Sequence, residues 1–227
     1  MKIDITHQLG LLTREVRERE HLGRPARLVL ASRDYDTTID DLWDALTSAE
    51  RIPRWFLPIE GELRVGGRYQ LQGNAGGNIE TCTPPRHLAV TWEFGGEISW
   101  LSVRLTEQGA ERTRLELEHL LPLNDHWQKF GPGAVGVGWD LGLHGLGQHL
   151  RSGAAVDREQ AMVWMASPEG KAFLRESSDA WGQAAIASGV PESTARAAAA
   201  RTTAAYMGEP SEDVSSGAAS SGESNSA

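Results

Sequence analysis

Seven histidines, one cysteine and the carboxylates Glu80 and Glu93 are among the side chains of this 227-residue sequence with which catalysis or metal binding could begin. Their spacing argues against both. His144 and His149 stand five apart, so on a helix they diverge, whereas a metal pair needs i, i+4. His119 and His126 have no carboxylate at a recognisable spacing, and neither a metal nor a cofactor is expected. Cys82 is the only cysteine, which excludes an intramolecular disulfide and a cysteine zinc cluster. It has no obvious base beside it, and no serine sits in a G-x-S-x-G elbow. Glu80 and Glu93 lie in separate segments, and no acid/base pair follows from their spacing. The string Gly131-Pro132-Gly133-Ala134-Val135-Gly136 matches the dinucleotide pattern GxGxxG, but LNDHWQKF before it is not a buried strand and no parallel crossover follows. It reads as a tight loop leading into a helix.

The elements that must position these residues begin near Thr38. Ile39, Leu42, Trp43 and Leu46 recur at helical spacing, with Thr38 as N-cap and Ser48 capping the next turn, which Pro53 keeps short. Arg27–Asp36 reads as a first strand, and Trp55-Phe56 carry the chain toward a sheet. Short segments then alternate with turn signals: ELRV and RYQLQG about Gly66-Gly67, then NIETC, LAVTWEF, ISWLSVRL and RTRLELEHL. Gly-Gly pairs supply positive φ, so an antiparallel meander is predicted.

Alternation gives that sheet one dry face. Leu88, Val90, Trp92 and Phe94 share it, as do Leu101, Val103 and Leu105, and then Thr113, Leu115, Leu117 and His119. The cover is Gly133–Leu150, whose Val135, Trp139, Leu143, Leu146 and Leu150 form a stripe. Five glycines inside it each cost about 1 kcal/mol against Ala, so packing must hold this helix. A cavity between sheet and helix is the expected functional site. On its sheet side stand Tyr69, Leu71, Val90, Trp92, Leu101, Val103, Leu115 and Leu117, and on its helix side Trp139 and Leu143. Tyr69 and His119 are expected to orient a polar end of the ligand.

The remaining segments are less specific. Residues 1–26, with alternating Arg and Glu, read as a solvated helix or arm, and residues 27–152 as the main domain. Residues 153–208 read as a helical appendage, with Ser167-Pro168-Glu169 opening one helix and Pro191-Glu192 another. Residues 209–227 read as a disordered tail. Trp100 alternates onto the face opposite Leu101 and is expected beneath those C-terminal helices. A net charge of −9 argues against a nucleic-acid groove. No apolar run approaches a membrane span, and MKIDITHQLG lacks the core of a signal peptide, so a cytoplasmic protein is expected.

In order and spacing, LWDALTSAERIPRWF, LRVGGRYQL, the PPRHL and VTWEF strand, TRLELEH and GVGWDLGL resemble the SRPBCC, or START-like, superfamily. Within it they resemble the branch named after the activator of heat-shock-protein ATPase, the Aha-type domain, over about residues 27–152. The resemblance implies an α+β, helix-grip (Bet v-like) fold: a curved antiparallel sheet around a long C-terminal helix, with a cavity for apolar molecules. This chain has Thr37-Thr38 where family members often carry Pro, and its helices after Asp157 lie outside the common domain. Three functions stay open on that scaffold. One is binding of a small hydrophobic or amphipathic molecule. A second is a co-chaperone-like domain meeting a protein partner through the C-terminal helices. The third is a cyclase or hydrolase using His119 with Tyr69 or Glu93.

Overall fold

Two-residue turns and glycine-rich loops build the sheet of the computed structural model, which describes residues 4–209. The tail expected to be disordered lies outside the described residues from 210 onward. The strands are β1 (Leu12–His21), β2 (Arg24–Tyr35), β3 (Ile59–Gly61), β4 (Arg68–Leu71), β5 (Gly76–Thr83), β6 (His87–Phe94), β7 (Glu97–Gly109) and β8 (Arg112–Pro122). They form one curved antiparallel sheet in the order β1-β2-β8-β7-β6-β5-β4-β3. The helices are α1 (Ile5–Gly10), α2 (Ile39–Thr47), α3 (Asp125–Phe130), α4 (Gly133–Ser152), α5 (Arg158–Ala166), α6 (Pro168–Ala187) and α7 (Glu192–Tyr206). This is the helix-grip α+β arrangement, with α4 on the dry face of the sheet. Among the described residues no helix is long and apolar enough to cross a membrane.

The local signals explain most boundaries. Thr38 Oγ1 accepts from the Asp41 N–H at 3.2 Å, and Ser48 Oγ accepts from the N–H groups of Glu50 and Arg51. Pro53 sits inside a single 3₁₀ turn, Ile52–Arg54. Ser167 Oγ caps α6 with Pro168 at its first position. The GxGxxG string joins two helices: Gly131, at φ 60°, ends α3 and Gly133 begins α4.

Three expectations need correction. The charged segment before Arg24 is the edge strand β1, not a helical arm; it turns into β2 through Leu22 and Gly23 at φ 52° and 73°. Its Arg/Glu alternation has period two: Leu12, Arg14 and Val16 face inward while Thr13, Glu15 and Arg17 face out. ELRV is a loop, because Gly66 and Gly67 bond across to Ile79 and leave Ile59–Gly61 to pair with β4. Trp100 is covered by His21 at the end of β1, ring centroids 3.9 Å apart, and not by the C-terminal helices. Those helices pack on the dry side instead. Phe173, Leu174 and Trp181 of α6 are buried in the same core as Val29, Leu115 and Leu146.

Candidate functional site

The dry face is not filled to its end. Between the sheet, α4 and the α2 segment lies a cavity of about 140 Å³. That is on the scale of the roughly 150 Å³ apolar cavities that stay dry and accept a benzene-sized ligand. Ten of the eleven side chains expected at a site stand on its wall: Tyr69, Leu71, Val90, Trp92, Leu101, Val103, Leu115 and Leu117 from the sheet, and Trp139 and Leu143 from α4. His119 does not.

The third wall was absent from the sequence reading. Trp43 and Leu46 of α2, Ile52 of the 3₁₀ turn, and Trp55 and Phe56 after it close the cavity. The signal was there in the apolar face of α2 and in the Trp-Phe pair, which does not lead directly into a strand but caps the space. The rings run continuously: Trp55 stacks on Phe56 at 5.3 Å, Phe56 on Trp139 at 6.1 Å, and Trp92 meets Trp139 edge-on at 5.1 Å. Offset and edge-on contacts are those aromatic quadrupoles favour.

Several polar atoms around this wall are committed to the protein, while the indole N–H groups of Trp43 and Trp92 have no partner among the described residues. Tyr69 donates its hydroxyl to the Thr91 carbonyl at 2.8 Å, and burial raises its pKa well above the usual phenol range. Thr47 Oγ1 donates to the Trp43 carbonyl and Trp55 Nε1 to the Ala45 carbonyl, each at 2.8 Å. Trp139 Nε1 donates to His119 Nδ1 at 3.1 Å. That bond leaves the His119 proton on Nε2, 2.8 Å from Ser99 Oγ, which donates to the Trp92 carbonyl. His119 is 1% exposed and burial pushes its pKa down to about 3, so it is a neutral link between three elements. It backs onto a second cavity of about 120 Å³ beside Ser99, His126 and Trp127. Neither Tyr69 nor His119 therefore offers the polar handle expected of it.

Nothing on the cavity wall assembles an acid/base pair. Its titratable side chains are Tyr69 and the free thiol of Cys82. Glu93 pairs with Arg68 on the outer surface, and Glu80 is exposed. Among the described residues no three His, Cys, Asp or Glu side chains gather as metal ligands would. His149 is spent between Arg51 Nε and the Ala154 carbonyl.

Comparison with known proteins bears on the same region. The family model described as "Activator of Hsp90 ATPase homolog 1-like protein" matches residues 36–151, just over half of the chain. No curated protein matches. The crystal structure of CalU16 from Micromonospora echinospora is 34% identical, covering 77% of this chain and 98% of its own, with a TM-score of 0.63. Its solution structure is 33% identical, covering 78% and 96%, with a TM-score of 0.67. That coverage exceeds the span 36–151, so the likeness extends into the flanking elements. DynU16, from the dynemicin biosynthetic locus, is 21% identical with a TM-score of 0.50, covering 56% of this chain and 48% of its own, a likeness of fold.

Proposed function

The chain belongs to the family of activator of Hsp90 ATPase homolog 1-like proteins, and on that premise we propose that it binds a small apolar molecule in the cavity of α4, α2 and the sheet. The observation that carries this reading is an unfilled, aromatic-walled space on which the Tyr69, Thr47, Trp55 and Trp139 donors are already bonded within the protein. A ligand there gains burial and ring contacts and finds no free donor among these four groups, so recognition rests mainly on shape and apolar area. An amphipathic ligand would have to keep its polar end at the mouth. The absence of a converging pair of titratable groups on the wall favours binding over a cyclase- or hydrolase-type reaction. A protein-partner role retains Met162 and Val163, exposed on α5, as its support, since α6 is spent on the core.

The test uses the fluorescent probe 1-aminoanthracene. Val103, 7% exposed and on the wall, is replaced by Trp to fill the space. The expected result is saturable binding to the natural chain and at least tenfold weaker binding to Val103→Trp, with circular dichroism unchanged. Equal binding by the two folded proteins overturns the assignment of the cavity.

A further inference from the structure

The buried polar atoms that the fold leaves unpaired gather along the second half of α4, beside His144 and about a turn beyond the cavity-wall residue Leu143. Among the described residues they are Arg14 Nη2, Arg33 Nε, His144 Nδ1 and Trp164 Nε1. Arg14 and Arg33 are diagonal neighbours on the inner face of β1 and β2, because Arg14 lies opposite Ala31 and Leu12 opposite Arg33. His144, Gln148 and Arg151 share one face of α4 by their spacing. Trp164 of α5 stacks on His144 with centroids 6.1 Å apart.

All four unpaired atoms lack an acceptor. Arginine and indole nitrogens only donate. His144 Nε2 lies 2.9 Å from the Gln148 amide nitrogen and accepts from it, so the His144 proton resides on Nδ1. The cluster is equally short of negative charge. Arg33 is 3% exposed and has no carboxylate partner; it reaches only the Leu143 carbonyl at 3.4 Å and Gln8 Oε1 at 3.3 Å. Its Nη2 and the Nη1 of Arg151 lie 3.0 and 3.4 Å from the same point, the place a Cβ on Gly147 would occupy. Two guanidinium groups thus face each other with no acid between them. The neighbouring acid, Asp140, is already held by Arg14 Nε at 3.0 Å, Ser177 Oγ and Trp181 Nε1. The strain shows in the titration of the group: burial first, with Arg151 adding to it, lowers the Arg33 pKa, while burial, Arg33 and Arg151 bring His144 down to about 4.

A buried arginine without a counter-charge is costly, and a cluster of donors without acceptors costs further for each one. Both deficits are met by one oxygen-rich anion. We infer that the cluster of unpaired donors where β2, α4 and α5 meet is an oxyanion site, in which Arg33 and Arg151 bind a phosphate or carboxylate group and neutral His144 and Trp164 donate to it. Arg14, Arg33 and Arg151 against Asp140 leave two positive charges, which a dianion balances. Arg151 is exposed and Gln8 half-buried, which gives the anion its route in. None of Arg33, Arg151, His144 and Trp164 lines the apolar cavity, so the site stands or falls independently of it.

The experiment is calorimetric titration of the full chain with inorganic phosphate and, separately, with succinate, beside melting curves in phosphate, succinate and chloride at matched ionic strength. Phosphate and sulfate-like salts stabilise folded proteins generally, so the Arg151→Gln variant, altered at an exposed position, is the control. The expected result is saturable binding of at least one anion, a melting temperature that rises with its occupancy, and at least a tenfold loss of affinity in Arg151→Gln. Which titrant saturates tells phosphate from carboxylate. No saturable binding of either, or an equal rise of melting temperature in natural chain and variant, overturns the site and assigns its unpaired donors to water.

Discussion

The two faces of α4 solve burial in opposite ways. Toward the cavity, Trp139, Gly142 and Leu143 meet aromatic and aliphatic side chains, several polar atoms are bonded within the protein, and space is left over. Toward α6, Asp140 is fully buried within a network of Arg14, Ser177 and Trp181, and the packing leaves no room: a Cβ on Gly136 would stand 2.3 Å from the Trp181 ring. The difference teaches what a void requires. An unfilled space costs only lost contacts when its walls are apolar, whereas a gap beside a buried carboxylate would strand the charge. The polar face fixes where α6 docks, and the apolar face is free to stay open for a ligand.

Removing Trp181 should break the first half of that contrast with the largest effect. Its side chain is fully buried and its indole donates to Asp140 at 3.2 Å. Trp181→Ala is expected to cost about 3–5 kcal/mol in urea unfolding, from the cavity alone, with the stranded Asp140 oxygen adding to it. Binding of 1-aminoanthracene by the still-folded fraction should not change, because Trp181 does not line the probe's cavity. A loss below about 1 kcal/mol would mean that α6 is a detachable appendage after all.

The second prediction uses pH, since the buried histidines and the buried Asp140 around α4 are shifted in opposite senses. His119 and His144 have folded pKa values of about 3 and about 4, below their ordinary 6.5. Their stability is present above 6.5 and lost as pH falls through the folded values. Asp140 runs the other way. Burial, opposed by Arg14, raises it from 3.8 to about 6, so its contribution is present below 3.8 and lost as pH rises through 6. Near pH 5 the unfolded chain holds two extra protons on the histidines and the folded chain one on Asp140. The net from these three groups is one, so together they lower stability by about 1.4 kcal/mol for each pH unit of acidification there. His119→Gln should make that slope shallower by about 1.4 kcal/mol per pH unit, the share of one proton. An unchanged slope in the variant would show that His119 does not stay neutral in the fold.

How far the sequence reached follows the same division. Period-two alternation in β6 to β8 named the sheet wall of the cavity, and helical spacing named Trp139 and Leu143, because both rules need only neighbours along the chain. The third wall was missed in two ways: the periodic face of α2 did not say which space Trp43 and Leu46 enter, and Trp55 and Phe56 reach it from a turn, which has no periodicity to read. His119 was placed on the correct face, but Trp139 and Ser99, each 20 positions away, consume its nitrogens. The far face was the least legible. Asp140 looks like an ordinary helix-surface acid until Arg14, 126 residues earlier, is brought onto it by an edge strand whose charges imitate a solvated helix.

The smallest effect is the sharpest test, because it compares one substitution on the two faces of one helix. Replacing a helix-interior glycine by Ala is worth up to about 1 kcal/mol in propensity alone. At Gly142 the new Cβ would meet Phe56 ring carbons at 3.5 and 3.6 Å, ordinary contact distances, and would begin to fill the cavity. Gly142→Ala should therefore stabilise by about 0.5–1 kcal/mol and weaken the probe slightly. At Gly136 the same methyl overlaps the buried Trp181 ring, which has no flexible end to move aside, and overpacking of this kind costs about 1–3 kcal/mol. The two variants are expected to move the urea midpoint in opposite directions. Midpoints shifted the same way would mean that the packing of α4 does not distinguish its faces, and the cavity would then have to be regarded as collapsible.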